Sequence, residues 1–264
     1  MSLDATIAAL AHPDARHRLA ALEELATAPL LDDDALLAVV ACLATPKKAV
    51  QRQAAELLCR GGASSRAVVM ARLRAGAVDP DPRLRWGATY TLARLGIRDP
   101  ELLSPLLEAL GRPDGDERWA AAELVTAWSR SHADIVLPAL LAAARDPNAE
   151  RRKMALYVLR DVAAAEPATR VVTYEALVDR RVSVRFAALA ALVRLEPLPA
   201  DACEVVLGLC RDDPDPGLRR AALGALGFVG RGVAAARAAI TAAARSDDAA
   251  LRRAARLAER RLGS

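Results

Sequence analysis

The sequence predicts an all-α protein of the solenoid class, built from eight helix-turn-helix units, and three observations carry that expectation. Arg18, Gln51, Arg85, Arg118, Arg152, Arg185, Arg219 and Arg252 follow one another at steps of 33, 34, 33, 34, 33, 34 and 33 residues. A period this long is one supersecondary unit, which can bury its apolar face only against its neighbours. Five residues before that column stand Pro13, Pro46, Pro80, Pro113, Pro147 and Pro214 in six of the eight units, where proline ends one helix before the next begins. The composition is 53% hydrophobic but 3% aromatic, which suits closely packed Ala- and Leu-rich helices rather than strands.

The units are expected at 1–29, 30–62, 63–96, 97–129, 130–163, 164–196, 197–230 and 231–264, forming one repeat domain over 1–264. Each reads as helix A, a tight turn and helix B. With the Arg/Gln column as position 0, the residue at −4 can cap helix B through its side-chain oxygen. In order, the units place there Asp14, Lys47, Asp81, Asp114, Asn148, Arg181, Asp215 and Asp248. The second unit thus lacks both the acid and the arginine, and the sixth replaces Pro-Asp with Arg180-Arg181. Within helix B the apolar columns fall at −1, +3, +7 and +10, within about 80° of arc at 100° per residue. The +3 column is alanine throughout: Ala21, Ala54, Ala88, Ala121, Ala155, Ala188, Ala222 and Ala255. A side chain ending at Cβ lets neighbouring helices approach closely.

Composition narrows the function classes. No charge-free stretch approaches the roughly 18 to 20 apolar residues of a membrane span, and the first residues carry no basic leader with an apolar run. A cytoplasmic protein without membrane contact is expected. Cys42, Cys59, Cys203 and Cys210 have no metal-ligand spacing and read as reduced, structural thiols. His12, His17 and His132 are not spaced with Cys, Asp or Ser as a triad or metal site, so neither catalytic residues, cofactor nor metal is expected. Gly61-Gly62 and Gly227 to Gly232 read as helix C-caps, and Arg60, Arg94, Arg194 and Arg261 as complements to helix dipoles. The net charge is +4, with 34 of the 37 basic residues arginine, which is low for a protein that grips a duplex.

The run Asp81-Pro82-Arg83-Leu84-Arg85-Trp86-Gly87-Ala88 and its counterparts resemble the HEAT repeat family, in particular the short HEAT-like repeats of the phycobilisome-lyase type. The resemblance implies a right-handed superhelical solenoid, with A helices convex and B helices concave. It also implies that Arg18, Arg85, Arg118, Arg152, Arg185, Arg219 and Arg252 pair with turn aspartates as a structural ladder between repeats. Bilin attachment, implied by the subtype's name, has no discriminating residue here.

Opposite the buried stripe, the solvent face of helix B centres on +1, +5 and +8. The +1 column places Trp86, Trp119, Lys153 and Phe186 in consecutive middle repeats, and +5 and +8 add Tyr90, Glu123, Tyr157 and Arg160. Five of the chain's eight aromatic residues fall on this lane; Trp128, Tyr174 and Phe228 read as packing. Exposed aromatics rimmed by polar groups mark interaction sites, so the expected function is a non-enzymatic, monomeric scaffold that captures a protein or peptide partner there. The alternative is nucleic-acid binding, or repair of the kind performed by HEAT-like alkylpurine DNA glycosylases. For that reading Trp119, Glu123 and Lys153 or Arg160 are the similar set, although the glycosylase carboxylate is an Asp.

Overall fold

The computed structural model describes residues 3–60 and 66–263, so the expected cap at Gly61-Gly62 lies outside the described residues. Sixteen α-helices alternate as A and B elements among them. The A helices are α1 (Leu3–Ala9), α3 (Asp33–Ala41), α5 (Ala67–Ala77), α7 (Leu103–Ala109), α9 (Ala133–Ala143), α11 (Pro167–Leu177), α13 (Ala202–Asp212) and α15 (Ala234–Ala244). The B helices are α2 (Ala15–Ala26), α4 (Lys48–Arg60), α6 (Pro82–Arg94), α8 (Gly115–Ser129), α10 (Ala149–Val162), α12 (Val182–Leu192), α14 (Pro216–Val229) and α16 (Ala249–Gly263). The chain forms two compact units, Met1–Ala109 and Leu110–Ser264.

The turn explains why each B helix starts where it does. Asp14, Asp81, Asp114, Asn148, Asp215 and Asp248 accept hydrogen bonds from backbone N–H groups of the first helical turn, which would otherwise be orphaned. All eight +3 alanines are at most 2% exposed. Each B helix meets more than its own A helix: α10 packs on α8, α9 and α12, and α6 on α4, α5 and α7. Ala55, Leu57, Met154, Leu156, Val158, Ala187 and Leu189, all off the expected stripe, are buried accordingly.

The position 0 side chains are aimed back at the turn. Arg85, Arg118, Arg152, Arg185, Arg219 and Arg252 donate through Nη1 to the carbonyl six residues earlier at 2.6–2.9 Å, and Arg18 does so through Nε. Gln51 keeps the same bond, with Nε2 donating to Thr45 O at 2.7 Å. The uniform partner is therefore a carbonyl within the unit, and the aspartates at −4 are helix caps rather than arginine partners. Carboxylates add a link to the next unit in particular cases. Arg152 forks onto Asp179 at 2.8 and 2.9 Å and Arg185 onto Asp213 at 2.7 and 2.9 Å, while Arg85 takes Glu108 and Arg118 takes Glu150.

Other glycine and cysteine expectations divide. Gly232 has φ +75°, a backbone conformation that favours glycine at a helix exit. Gly227, expected among the caps, lies inside α14: a Cβ there would stand 2.8 Å from Arg261 Cβ and 2.9 Å from Ala258 O, so its role is close packing on α16. The four cysteines are free, and burial pushes the Cys42 thiol up to about 11 and the Cys210 thiol to about 12.

Asp213 has a side chain only 3% exposed against 10% for Arg185. Burial alone would raise its carboxyl, but hydrogen bonds from Arg185 and the Asp215 N–H, with the Arg185 and Arg219 charges, hold it below its ordinary value. Asp179 is lowered in the same way, with burial opposed by Arg152 and the Arg181 N–H. Removing one partner of a buried pair costs about 3 kcal/mol or more, so Asp213→Ala should lower the urea unfolding free energy by that order at pH 7; a loss below about 1 kcal/mol would contradict this. Because both folded values are depressed, the pairs contribute fully above the unfolded carboxyl value of about 3.9 and lose their contribution as pH falls through the folded values. Acid titration of stability should therefore show a drop below about pH 4 that is smaller in Asp213→Asn.

Candidate functional site

The expected lane divides once the helices are in place. In the first unit Trp86 is buried, 7% exposed, with its ring 5.5 Å from that of Tyr90. This corrects its assignment to a solvent face. The adjacent Gly87 explains it: a Cβ there would lie 2.8 Å from Leu43 Cβ, so α6 sits close to the preceding layer and draws Trp86 into it. Tyr90 is half-buried and takes a hydrogen bond from Arg94 Nη1 on its hydroxyl.

In the second unit the side chains at +1 also differ from one another. Phe186 is partly buried against the first turn of α14, its Cζ 3.6 Å from where a Gly217 Cβ would stand. Lys153 is bound to Glu150, which also receives Arg118, so its charge is neutralised locally. Burial raises the Glu150 carboxyl, and the Lys153 hydrogen bond and charge, followed by Arg118, outweigh it and bring it below its ordinary value. Trp119 is different: it is 53% exposed, stacked on Tyr157 of the next B helix with centroids 5.6 Å apart and planes 20° from parallel.

Around that stack α8 and α10 form a groove of about 290 Å³, lined among others by Trp119, Glu123, Thr126, Arg130, Tyr157 and Asp161. Arg160 lies over the Tyr157 ring, its guanidinium carbon 5.2 Å from the ring centre, while Nε and Nη2 donate to the two Asp161 oxygens at 2.7 and 2.9 Å. Burial raises the Tyr157 hydroxyl above its ordinary value against the opposing Arg160 charge. Glu123 is exposed. The structure therefore brings Trp119, Glu123, Tyr157 and Arg160 together, with Arg130 and Asp161 as lining residues that the sequence pattern did not single out. Asp161 lies at +9 and Arg130 at +12, neither of them in a column that defines the buried stripe or the solvent lane.

The residues set aside as packing also divide. Trp128 is buried, 1% exposed. Tyr174 bridges to the next unit, its hydroxyl donating to Asp201 Oδ1 at 2.7 Å. Phe228 is 50% exposed and covered by Arg261, 4.3 Å from the ring centre; this corrects its placement as packing. Ser131 Oγ lies 2.8 Å from His132 Nδ1, a contact between sequence neighbours that the spacing argument overlooked. Among the described residues no group of three or more His, Cys, Asp or Glu is arranged to hold a metal, and no helix is long and apolar enough to cross a membrane.

Exposure of this kind separates stability from recognition. Trp86→Ala should lower the unfolding free energy by about 3 kcal/mol or more, as for a large buried side chain, whereas Trp119→Ala should change it by about 1 kcal/mol or less. Parallel urea titrations check this; equal losses would place Trp119 in the core.

The sequence profile of HEAT repeats matches residues 37–126, 137–227 and 172–259. It is a match to HEAT repeats at large and does not single out the phycobilisome-lyase type. No curated protein matches the sequence. Among solved structures the chain is similar to Kap121p in its D353K/E396K/D438K mutant, at 14% identity and TM-score 0.64 over 98% of this chain and 33% of that one. A chain from a homology model of the full-length AP-3 complex in an intermediate open conformation gives 15% identity and TM-score 0.60, over 97% of this chain and 50% of that one. The Escherichia coli protein YibA gives 16% identity and TM-score 0.58, over 100% and 93%. The chain thus spans about a third of Kap121p and half of the AP-3 chain, and at these identities the likeness is one of fold. By the extent of the profile match and the repeated helix pairs, the chain belongs to the HEAT repeat family, with the α-solenoid fold class that its sequence predicts.

Proposed function

We propose that this protein is a non-enzymatic binding scaffold that captures a segment of a protein partner in the groove between α8 and α10. The observation that carries the reading is Trp119, a large aromatic left 53% exposed in a chain that buries Trp86 and Trp128. Aromatic anchors flanked by polar groups supply most of the energy of protein recognition, and the concave surface of stacked helical repeats is the usual place for it. The family adds support, since solenoids of this kind commonly serve as interaction platforms. The groove is read as part of a concave B-helix surface in a cytoplasmic, monomeric protein.

The groove is too small for a folded domain and suits one or two side chains of an extended segment or helix. Its contact energy rests on Trp119 and Tyr157, with Glu123 and Arg160 setting orientation. Panning the full chain against a displayed random 12-residue peptide library tests the reading. Peptides are expected that bind the native protein and lose at least tenfold in affinity to Trp119→Ala, while the variant's unfolding curve stays unchanged. Failure to recover any Trp119-dependent peptide, together with duplex DNA binding that weakens steeply between low and moderate salt, would assign the surface to nucleic acid instead.

A further inference from the structure

The chain repeatedly covers its accessible aromatic rings with its own arginines. Arg94 lies 5.8 Å from the centre of Tyr90, Arg160 5.2 Å from Tyr157, Arg170 5.6 Å from Tyr174 and Arg261 4.3 Å from Phe228. Phe186, over which no arginine lies among the described residues, is instead packed against Gly217, with Arg220 Nη2 3.8 Å from the same point. Trp119 is the exception. It is the largest of the accessible rings, it is stacked on Tyr157 on one side only, and among the described residues no arginine lies over it.

One helical turn after Trp119 stands Glu123, exposed and without an ion pair or side-chain hydrogen bond among the described residues. Residues four apart share a helix face, so ring and carboxylate line the groove together. The neighbouring repeat shows what such a combination holds. There one guanidinium is stacked on Tyr157 and forked onto the Asp161 carboxylate. Trp119 and Glu123 offer the same two elements, a π-face and an acceptor pair, one repeat earlier. Of the other charges on the groove wall, Asp161 is acidic, and Arg130, seven residues beyond Glu123 and about 10 Å along the axis, forms no ion pair with it among the described residues.

We propose that the groove recognises an arginine side chain of an extended protein segment, stacked on Trp119 and forked onto Glu123. This inference rests on the scaffold reading and names the chemistry of its partner. A planar guanidinium satisfies both elements at once, because it stacks on an aromatic face and presents two parallel N–H donors to a carboxylate. Lysine offers a point charge that can meet only one of them well. Asp161 is already held by Arg160, so the carboxylate left to meet a ligand beside Trp119 is Glu123, which favours a cation over an anion.

Peptides recovered by panning the full chain against the random 12-residue library provide the test. Each Trp119-dependent peptide is resynthesised with its arginine replaced by citrulline, which keeps the shape and removes the charge, and by lysine. On the native protein the citrulline peptide should bind at least tenfold more weakly, with lysine in between. On Glu123→Gln, a surface change that leaves folding intact, the arginine and citrulline peptides should bind within about twofold of each other. Trp119-dependent peptides that lack arginine, or that tolerate citrulline, would overturn this inference while leaving the scaffold reading in place. Absence of any Trp119-dependent peptide would overturn both.

Discussion

The fold depends on one recurrent hydrogen bond, from the side chain at position 0 of each B helix to the backbone carbonyl six residues earlier. That carbonyl lies one to four residues past the end of its A helix, in the turn, where no helical N–H is available to it. A hydrogen bond of this kind contributes about 1–3 kcal/mol, and the long guanidinium supplies it across the turn in seven of the units. Gln51 does the same without a charge, so the requirement is for a donor at a fixed distance. In six of the eight units Asp or Asn caps the B helix as well, so the turn is held from both sides. The invariant alanine at +3 then sets how closely the helix pairs stack.

Ion pairs elaborate this arrangement rather than create it. Arg152 and Arg185 extend their remaining donors to Asp179 and Asp213 in the following turn, where low exposure makes the pairs count. Elsewhere the arginines find Glu108 or Glu150, which are more exposed and contribute less in water. The same donors thus serve two scales, the turn inside a unit and the register between units.

Much of the fold was legible in the sequence, because period, proline spacing and the alanine column each constrain backbone geometry directly. What the column could not say was which oxygen the arginine meets: backbone carbonyls have no letter in a sequence. The acids at −4 serve as the caps that their position suggests. The acids that do pair, Asp179 and Asp213, stand at −6 of the following unit, a position that Asp79 and Asp146 also occupy and that a second alignment column would have revealed. The site was legible in part. A face drawn on an isolated helix treats Trp86 and Trp119 alike, but each B helix is also covered by its neighbours, and Gly87 lets that cover close over Trp86. Trp119, which Ala120 follows in place of a glycine, stays 53% exposed, so tertiary packing decides between two residues with the same helical phase.

The central claim is tested most directly at Arg219, which donates to the carbonyls of Asp213 and Pro214 and forms no carboxylate hydrogen bond among the described residues. Urea unfolding of Arg219→Gln and Arg219→Leu removes the charge in both and keeps a donor in only one. The glutamine variant is expected to stay within about 1 kcal/mol of the native protein while the leucine variant loses about 1–3 kcal/mol more. Equal losses in the two variants would contradict the claim, and would make the arginine column a matter of charge rather than of the turn's carbonyl.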